Sequence, residues 1–573
     1  MRHITTIALA TAATLFGCNL APAPSSVAGY YRCSEACPLD YVCCEGQCVP
    51  PGSSLCLGET DAGAVDGGLS DAGLPDAGSL DAGPSDAGAP DAGPIAPDTV
   101  STPSCTRQGE VYRLRSDPPR AESWEAVLDV ATVGETVYAS GFQARSSAGG
   151  AADAFVSRLD VDRCEAWRWV LPGAPAALEA VAVAADETRV VVVVRVLGGS
   201  YAHEDFTPAL VDGDSLVVAL DPEDGAQRWS VVMRQTAIED VARASGGVAY
   251  LAGHVDGPDV VMESAAACAS EVRVSGSGGR GVVARIDADT GCPTWAESDA
   301  DESDTHLEAL AVLDLAGGAG HMVFAAGEGT ANGTPLVLRY AGTEEAPGGW
   351  LERVCGGCGL RPIPGVGPGR LEALALSDDG HSLYASGAAE PAGGGLRSPI
   401  LARVPLDGGH TFGPVASADV QRFEACARDA TAAPTTPHVE GLTVFGSYAV
   451  VGGYVRESFA LTDAWHVAPA DRYRQGWLLG HPLSGSLDTT RWARQLGAYD
   501  HDQLAALAHT GGPESTEQAL VVAGRFRGSL EHRDDPPLWA DETDGLVVIS
   551  PSSHMSTGLS ELGRSDECTG GAS

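Results

Sequence analysis

The chain is 573 residues long, with a formal net charge of -42 and 35 basic residues, all of them Arg. So acidic a balance argues against nucleic acid or an anionic membrane held through surface charge, because phosphates require clustered cations. The absence of Lys from the sequence removes Schiff-base, phosphate-loop and kinase-type lysine chemistry.

Residues 1–17 read as an export signal. Met1, Arg2 and His3 precede the apolar run ITTIALATAATLFG, which is too short to span a bilayer as a permanent helix. Leu15, Phe16, Gly17 and Cys18 resemble a lipobox, the motif of bacterial lipoprotein signal peptides, and the resemblance implies cleavage before Cys18 and its acylation. A cleaved signal with a coincidental Cys is the alternative; the small Gly17 favours the lipid. Several acyl chains anchor stably where a single one binds only marginally. Asn19 is not the Asp that enterobacterial lipoproteins associate with inner-membrane retention, so the expected address is the outer membrane of a cell envelope, with the downstream domain presented outside. With Cys18 set aside for lipid, six cysteines fall in a short module and eight in a long domain. Both numbers are even, as disulfides in an oxidising compartment require.

After a tether at 18–32, residues 33–56 carry Cys33, Cys37, Cys43, Cys44, Cys48 and Cys56. So short a segment buries too little apolar surface to fold without disulfides. The adjacent Cys43 and Cys44 and the turn at Gly46 resemble inhibitor-cystine-knot modules, which implies the pairs Cys33–Cys44, Cys37–Cys48 and Cys43–Cys56. The spacing by itself leaves about fifteen connectivities open. A partner-binding knot and a protease-resistant spacer are both compatible with it. Residues 57–104 repeat Asp-Ala-Gly and Pro, with Asp61, Asp66, Asp71, Asp76, Asp81, Asp86 and Asp91 at a constant interval. Like charge with Pro and Gly predicts a disordered, extended linker reaching roughly 40 Å. The Asp spacing does not match a calcium loop.

From residue 105 to 573 an internal repeat sets the fold. Seven apolar strands recur, WEAVLDV, LEAVAVA, IEDVARA, LEALAVL, LEALALS, VEGLTVF and LAALAHT. Each is followed by a second strand ending at Gly141, Gly198, Gly253, Gly327, Gly387, Gly453 or Gly524, then by a third strand. A fourth, shorter strand often carries a Trp, at Trp169, Trp229, Trp295, Trp350 and Trp492. The expected fold is all-β: a seven-bladed β-propeller preceded by the small disulfide-rich module and the linker. The last repeat lacks its Trp strand, and the segment Cys105–Ser116 is expected to supply it and close the ring.

DAFVSRLDVDRCEAWRWVL, followed by EAVAVAADETRVVVVVRVLG and EDF, resembles the bacterial β-propeller-repeat family abbreviated SBBP. VVALDPEDGAQRW and ARIDADTGCPTW resemble PQQ-like propeller repeats. The first resemblance implies an exported propeller without an assigned reaction. PQQ-dependent dehydrogenases are enzymes, but their quinone and calcium pockets have no recognisable counterpart in this sequence, and no cofactor or metal is expected.

Catalytic motifs are sparse. No G-x-S-x-G elbow, phosphate loop, H-x-H or H-E-x-x-H pair and no sialidase-type Asp-box occurs in the sequence. The propeller cysteines, Cys105, Cys164, Cys268, Cys292, Cys355, Cys358, Cys426 and Cys568, are disulfide candidates, with the C-G-G-C at Cys355 and Cys358 read as a local disulfide in preference to half a zinc site. Acidic groups around His501 and His532 fit solvated loops better than an acid–base pair. Long connections at 254–281, 454–476 and 525–544 are the expected binding elements, with Phe459, Trp465, Tyr473 and Trp539 as anchors. The expected function is non-catalytic: a lipid-anchored propeller that binds or scaffolds an envelope or extracellular protein or glycan and no nucleic acid. Its alternatives are a polymer-acting hydrolase or lyase, which convergent carboxylates at the channel mouth would distinguish, and an envelope-assembly scaffold.

Overall fold

The computed structural model describes residues 105–551 apart from a set of connecting segments, among them 115–123, 145–150, 356–361, 424–437, 468–474 and 531–537, together with the short strands Val42–Cys44 and Gln47–Val49. The chain separates into two compact units, Met1–Pro90 and Asp91–Ser573. In the first, the two short strands form an antiparallel hairpin with Cys43 opposite Cys48 and Cys44 opposite Gln47. Cys18, Cys33, Cys37 and Cys56 lie outside the described residues.

The second unit is an all-β propeller. The blades are built from strands whose middle members are buried along most of their length, and the four strands of one run antiparallel in chain order: Thr236–Ala244, Val248–Val255, Arg280–Asp287 and Pro293–Ser298. Val, Ile, Leu and Ala side chains of neighbouring blades interleave; Ile238, Leu251, Val282 and Ile286 pack with Val191, Val193 and Val217 of the preceding sheet. Each fully buried Val or Leu contributes roughly 1.5 to 3 kcal/mol. Among the described residues no helix is long and apolar enough to cross a membrane.

The blade number is corrected from the sequence. Among the described residues there are five discrete blades, four of four strands and one of five, and not seven. The strands of the first two repeats run instead in a single ten-stranded sheet, joined by a parallel bridge between Ala152 and Ala177. The cause is local. Asp153 accepts a hydrogen bond from the Gly173 amide at 2.8 Å, which draws the connecting turn against strand Ala152–Asp160. A Cβ on Gly173 would meet the Ala152 carbonyl oxygen at 1.9 Å, so only Gly permits that approach. The hairpin of Asp259–Ser264 and Val272–Ser275 extends the same sheet from strand Gln227–Met233.

The five-stranded blade joins the two ends of the unit. Val111–Leu114 pairs with Leu538–Pro551, which pairs with Ala519–Leu530 and so with Gln503–Thr510. Two devices tie repeat to repeat. Trp167 and Trp229 donate their indole N–H to the carbonyls of Pro222 and Ala288 at 3.1 and 2.8 Å, each one repeat ahead. Asp129 and Asp240 each accept one amide of their own strand and one of the next repeat, Val183 at 2.7 Å for Asp129 and Leu310 at 2.5 Å for Asp240. Burial pushes these carboxyls up to about 6 and about 8 against the pull of those amides, and Asp129 adds to the rise at Asp240.

Candidate functional site

The innermost strands share a bulge. In the blade of Thr236–Ala244, Ile238 opposes Gly253 and Asp240 opposes Ala252, leaving Glu239 as the extra residue. The same arrangement makes Glu308, Glu372 and Glu440 the extra residues of Thr305–Asp314, Val366–Leu376 and His438–Phe445. A bulge turns its extra residue out of the pleat and tightens the local twist. The partner glycine makes room for it: a Cβ on Gly253 would lie 2.0 Å from the Ala237 carbonyl oxygen, and one on Gly327 1.8 Å from that of His306. The first and last repeats place Leu128 and Ala505 at this position. In strand Ala177–Ala185 the extra residue is Val181, and Glu179 instead sits opposite Arg195. Gly198, expected as the matching glycine of that repeat, lies past the end of strand Val190–Leu197, and Val194 stands at the bulge.

These bulges lie near the start of the first strand of each repeat, and the second strand ends at the same level, so their side chains gather at one mouth of the central channel. Arg195 grips both carboxylate oxygens of Glu239 at 2.7 and 3.0 Å. His254 Nδ1 is 3.8 Å from Glu239, and its ring stacks on His306 with centroids 4.2 Å apart. Arg370 pairs with Glu372 at 2.5 Å and lies 3.7 Å from Glu308. Arg525, whose charge also reaches Glu179, donates to the Gln503 side-chain oxygen at 2.6 Å. His438 stacks on Tyr454 at 4.5 Å, with Glu440 3.9 Å away.

Charge at the mouth is unevenly held. Burial pushes Glu308 up to about 7, with Glu239 and Glu372 adding to the rise and Arg370 opposing it. Burial does the same to Glu179, also up to about 7, against the pull of Arg195 and Arg525. The Glu239–Arg195 pair thus stands between two carboxyls that hold their protons near neutrality. Arg370 is raised, chiefly by Glu372, and keeps its charge throughout. Two carboxyls raised by burial, two ion-paired carboxylates and three guanidiniums form a rim able to donate and accept hydrogen bonds in fixed directions.

Glutamate in the second place of WEAV, LEAV, IEDV, LEAL, LEAL and VEGL is the signal that sequence reasoning passed over while reading those segments as apolar strands. The expected anchors belong to the long connections. The three long connections leave the strands on the mouth side, and each holds a β-hairpin: Asp259–Ser264 with Val272–Ser275, Phe459–Thr462 with Trp465–Val467, and the far ends of Ala519–Leu530 and Leu538–Pro551. Phe459 opposes Val467, Trp465 opposes Thr462 and Trp539 opposes Ser529. The side chains of these three, and all of Tyr473, lie outside the described residues. Disulfides join Cys105 to Cys164 and Cys268 to Cys292. Cys355 ends strand Pro347–Cys355, while Cys358, Cys426 and Cys568 lie outside the described residues.

No family model matches the chain, those of the two propeller-repeat families included, and no curated protein matches it. Solved structures with a similar fold include the subtype N10 neuraminidase-like protein of A/little yellow-shouldered bat/Guatemala/060/2010, 9% identical over 78% of this chain and 100% of that one, TM-score 0.31. The Dos1 propeller is 8% identical over 77% of this chain and 95% of its own, TM-score 0.35. The sialidase of Trypanosoma rangeli in complex with 2,3-difluorosialic acid is 10% identical over 80% of this chain and 59% of that one, TM-score 0.31. These likenesses bear on neither the site nor the activity of this chain.

Proposed function

We propose that this chain is an envelope lipoprotein, anchored by an acylated Cys18, whose propeller binds a neutral glycan at the channel mouth without cleaving it. The observation that carries the reading is the convergence of Glu179, Arg195, Glu239, Glu308, Arg370 and Glu372 at that mouth. Sugar hydroxyls donate and accept at once, and planar paired carboxylate and guanidinium groups meet them bidentately. The net charge of -42 repels polyanions at a distance and so favours a neutral glycan over an acidic one. The lipobox-like Leu15–Cys18 and the acidic linker supply anchor and reach.

A second reading is favoured by one observation. The Glu308 carboxyl, pushed up to about 7 beside the ion-paired Glu239, has the makings of a general acid next to a carboxylate base, so the mouth is also suited to glycoside hydrolysis or elimination. Incubation of the full chain with neutral oligosaccharides separates the two. Retention of intact sugar by wild type and Glu308→Gln alike supports binding, and product release by wild type that Glu308→Gln abolishes supports the enzyme. Release of the chain from membranes by Cys18→Ala tests the anchor, and unchanged membrane association removes it.

A further inference from the structure

We propose that the Cys105–Cys164 disulfide is a redox-sensitive clasp that holds the propeller shut at the point where its chain enters. The blade that unites the ends of the unit depends on strand Val111–Leu114, whose register with Leu538–Pro551 comprises Leu114 with Gly545, Arg113 with Leu546, Tyr112 with Val547 and Val111 with Val548. Beyond it lies only the three-residue strand Thr106–Gln108, paired to Val111–Leu114 and to nothing further in that sheet. A terminal strand this short is the part of a sheet that opens first.

What holds it is distributed over two sheets. Tyr112 and Leu114 are buried among Val127, Phe155 and Leu159 of the ten-stranded sheet and Val521 and Val547 of their own blade. Arg113 forms an ion pair with Asp544. Cys105, one residue before Thr106, is bonded to Cys164 on strand Arg163–Leu171, the outer strand of the first repeat in the ten-stranded sheet. The bond therefore crosses from one sheet to the other, over a sequence separation of 59 residues. Residues 1–104 all precede it, so a pull on that segment reaches the propeller first at Cys105 and passes through the disulfide into Arg163–Leu171 before it loads the Val111–Leu114 pairing. The second disulfide, Cys268–Cys292, also joins two sheets, the hairpin of Asp259–Ser264 and Val272–Ser275 on the ten-stranded sheet and the turn before Pro293–Ser298 of the next blade, but both belong to consecutive repeats and neither touches the blade that unites the ends.

Opening the clasp is a two-electron step. A dithiol gives two electrons and two protons to the Cys105–Cys164 bond, leaves two thiols and is itself oxidised to a disulfide. The hairpin of Thr106–Gln108 and Val111–Leu114 is then free to peel from Leu538–Pro551 while the other blades stay closed.

Amide hydrogen exchange of the full chain carrying Cys18→Ala tests this, with four samples: oxidised, reduced by dithiothreitol, Cys105→Ser/Cys164→Ser, and Cys268→Ser/Cys292→Ser. The expected result is at least tenfold faster exchange at residues 111–114 and 545–548 on reduction and in Cys105→Ser/Cys164→Ser. Residues 323–326 of a discrete blade stay unchanged, as does 111–114 in oxidised Cys268→Ser/Cys292→Ser. Unchanged exchange at 111–114 after reduction overturns the proposal, as does an equal rise in every blade. Should the double serine variant fail to fold, reduction of the folded oxidised chain reads the same amides.

Discussion

The two halves of the propeller use one strand pattern for two ends. From residue 236 to 445 the discrete blades place glutamate at the extra residue of the bulge, where it meets arginine and histidine at the channel mouth. From 124 to 185 the ten-stranded sheet puts Leu128 and Val181 at the corresponding bulges, and Asp129 spends its carboxylate on backbone amides of two repeats. Asp240 does the same one residue after Glu239, so a single bulge carries a structural acid and a mouth acid side by side. The lesson is that in a repeat fold the site is decided by which way one extra residue turns, while the neighbours on either side keep the sheet intact.

The largest effect expected from breaking this comparison is at the glycine that admits the bulge. Gly327→Ala should cost about 3 kcal/mol of stability, because the new methyl group overlaps the His306 carbonyl and the backbone must move. Gly198→Ala, with open space but a φ of +72°, should cost about 1 kcal/mol. Denaturant unfolding measures both, and equal costs would remove the bulge from the argument.

Next comes pH. Asp129 and Asp240 have folded-state values raised above the unfolded 3.8, to about 6 and about 8, so the folded chain binds more protons between those limits. Their stabilising contribution is complete below about pH 4 and is lost as pH rises through 6 and 8, with a slope of at most about 1.4 kcal/mol per pH unit for each proton. Asp129→Asn should flatten the fall only up to about pH 6, whereas Asp240→Asn should flatten it over the whole range up to about 8. Unfolding curves across pH 4 to 9 that keep the wild-type slope in both variants would contradict the assignment.

The smallest effect is at the docking tryptophans. Trp167→Phe and Trp229→Phe each remove one indole hydrogen bond and should cost about 1 kcal/mol. Trp167 docks within the ten-stranded sheet and Trp229 docks from it onto a discrete blade, so unequal losses would show that the two kinds of junction differ in strength.

Much of the fold is legible in the sequence. Alternating strands, the recurrent glycines and a spare strand at Val111–Leu114 lead to a propeller whose ends share a sheet. The blade count was not legible, because the fusion of the first sheets depends on a contact between Asp153 and Gly173 that no periodicity reports. Gly198 fits the repeat in sequence but not in space, since the bulge of its repeat falls at Val181, two residues after Glu179, and not at the glutamate itself. The mouth was half legible. The glutamates stand in plain view in LEAL and VEGL, yet Glu125 occupies the same place in WEAV and is not the bulge residue. Only the register tells which carboxylates the bulge turns toward the channel.

The most direct measurement of the central claim is calorimetric titration of neutral oligosaccharides into the full chain carrying Cys18→Ala, repeated with Glu239→Gln added. The expected result is binding that weakens at least tenfold in Glu239→Gln, measured on protein whose unfolding transition shows that it remains folded at the temperature of the titration. Affinity that is absent in the parent chain, or untouched by Glu239→Gln, would contradict a glycan site at the channel mouth.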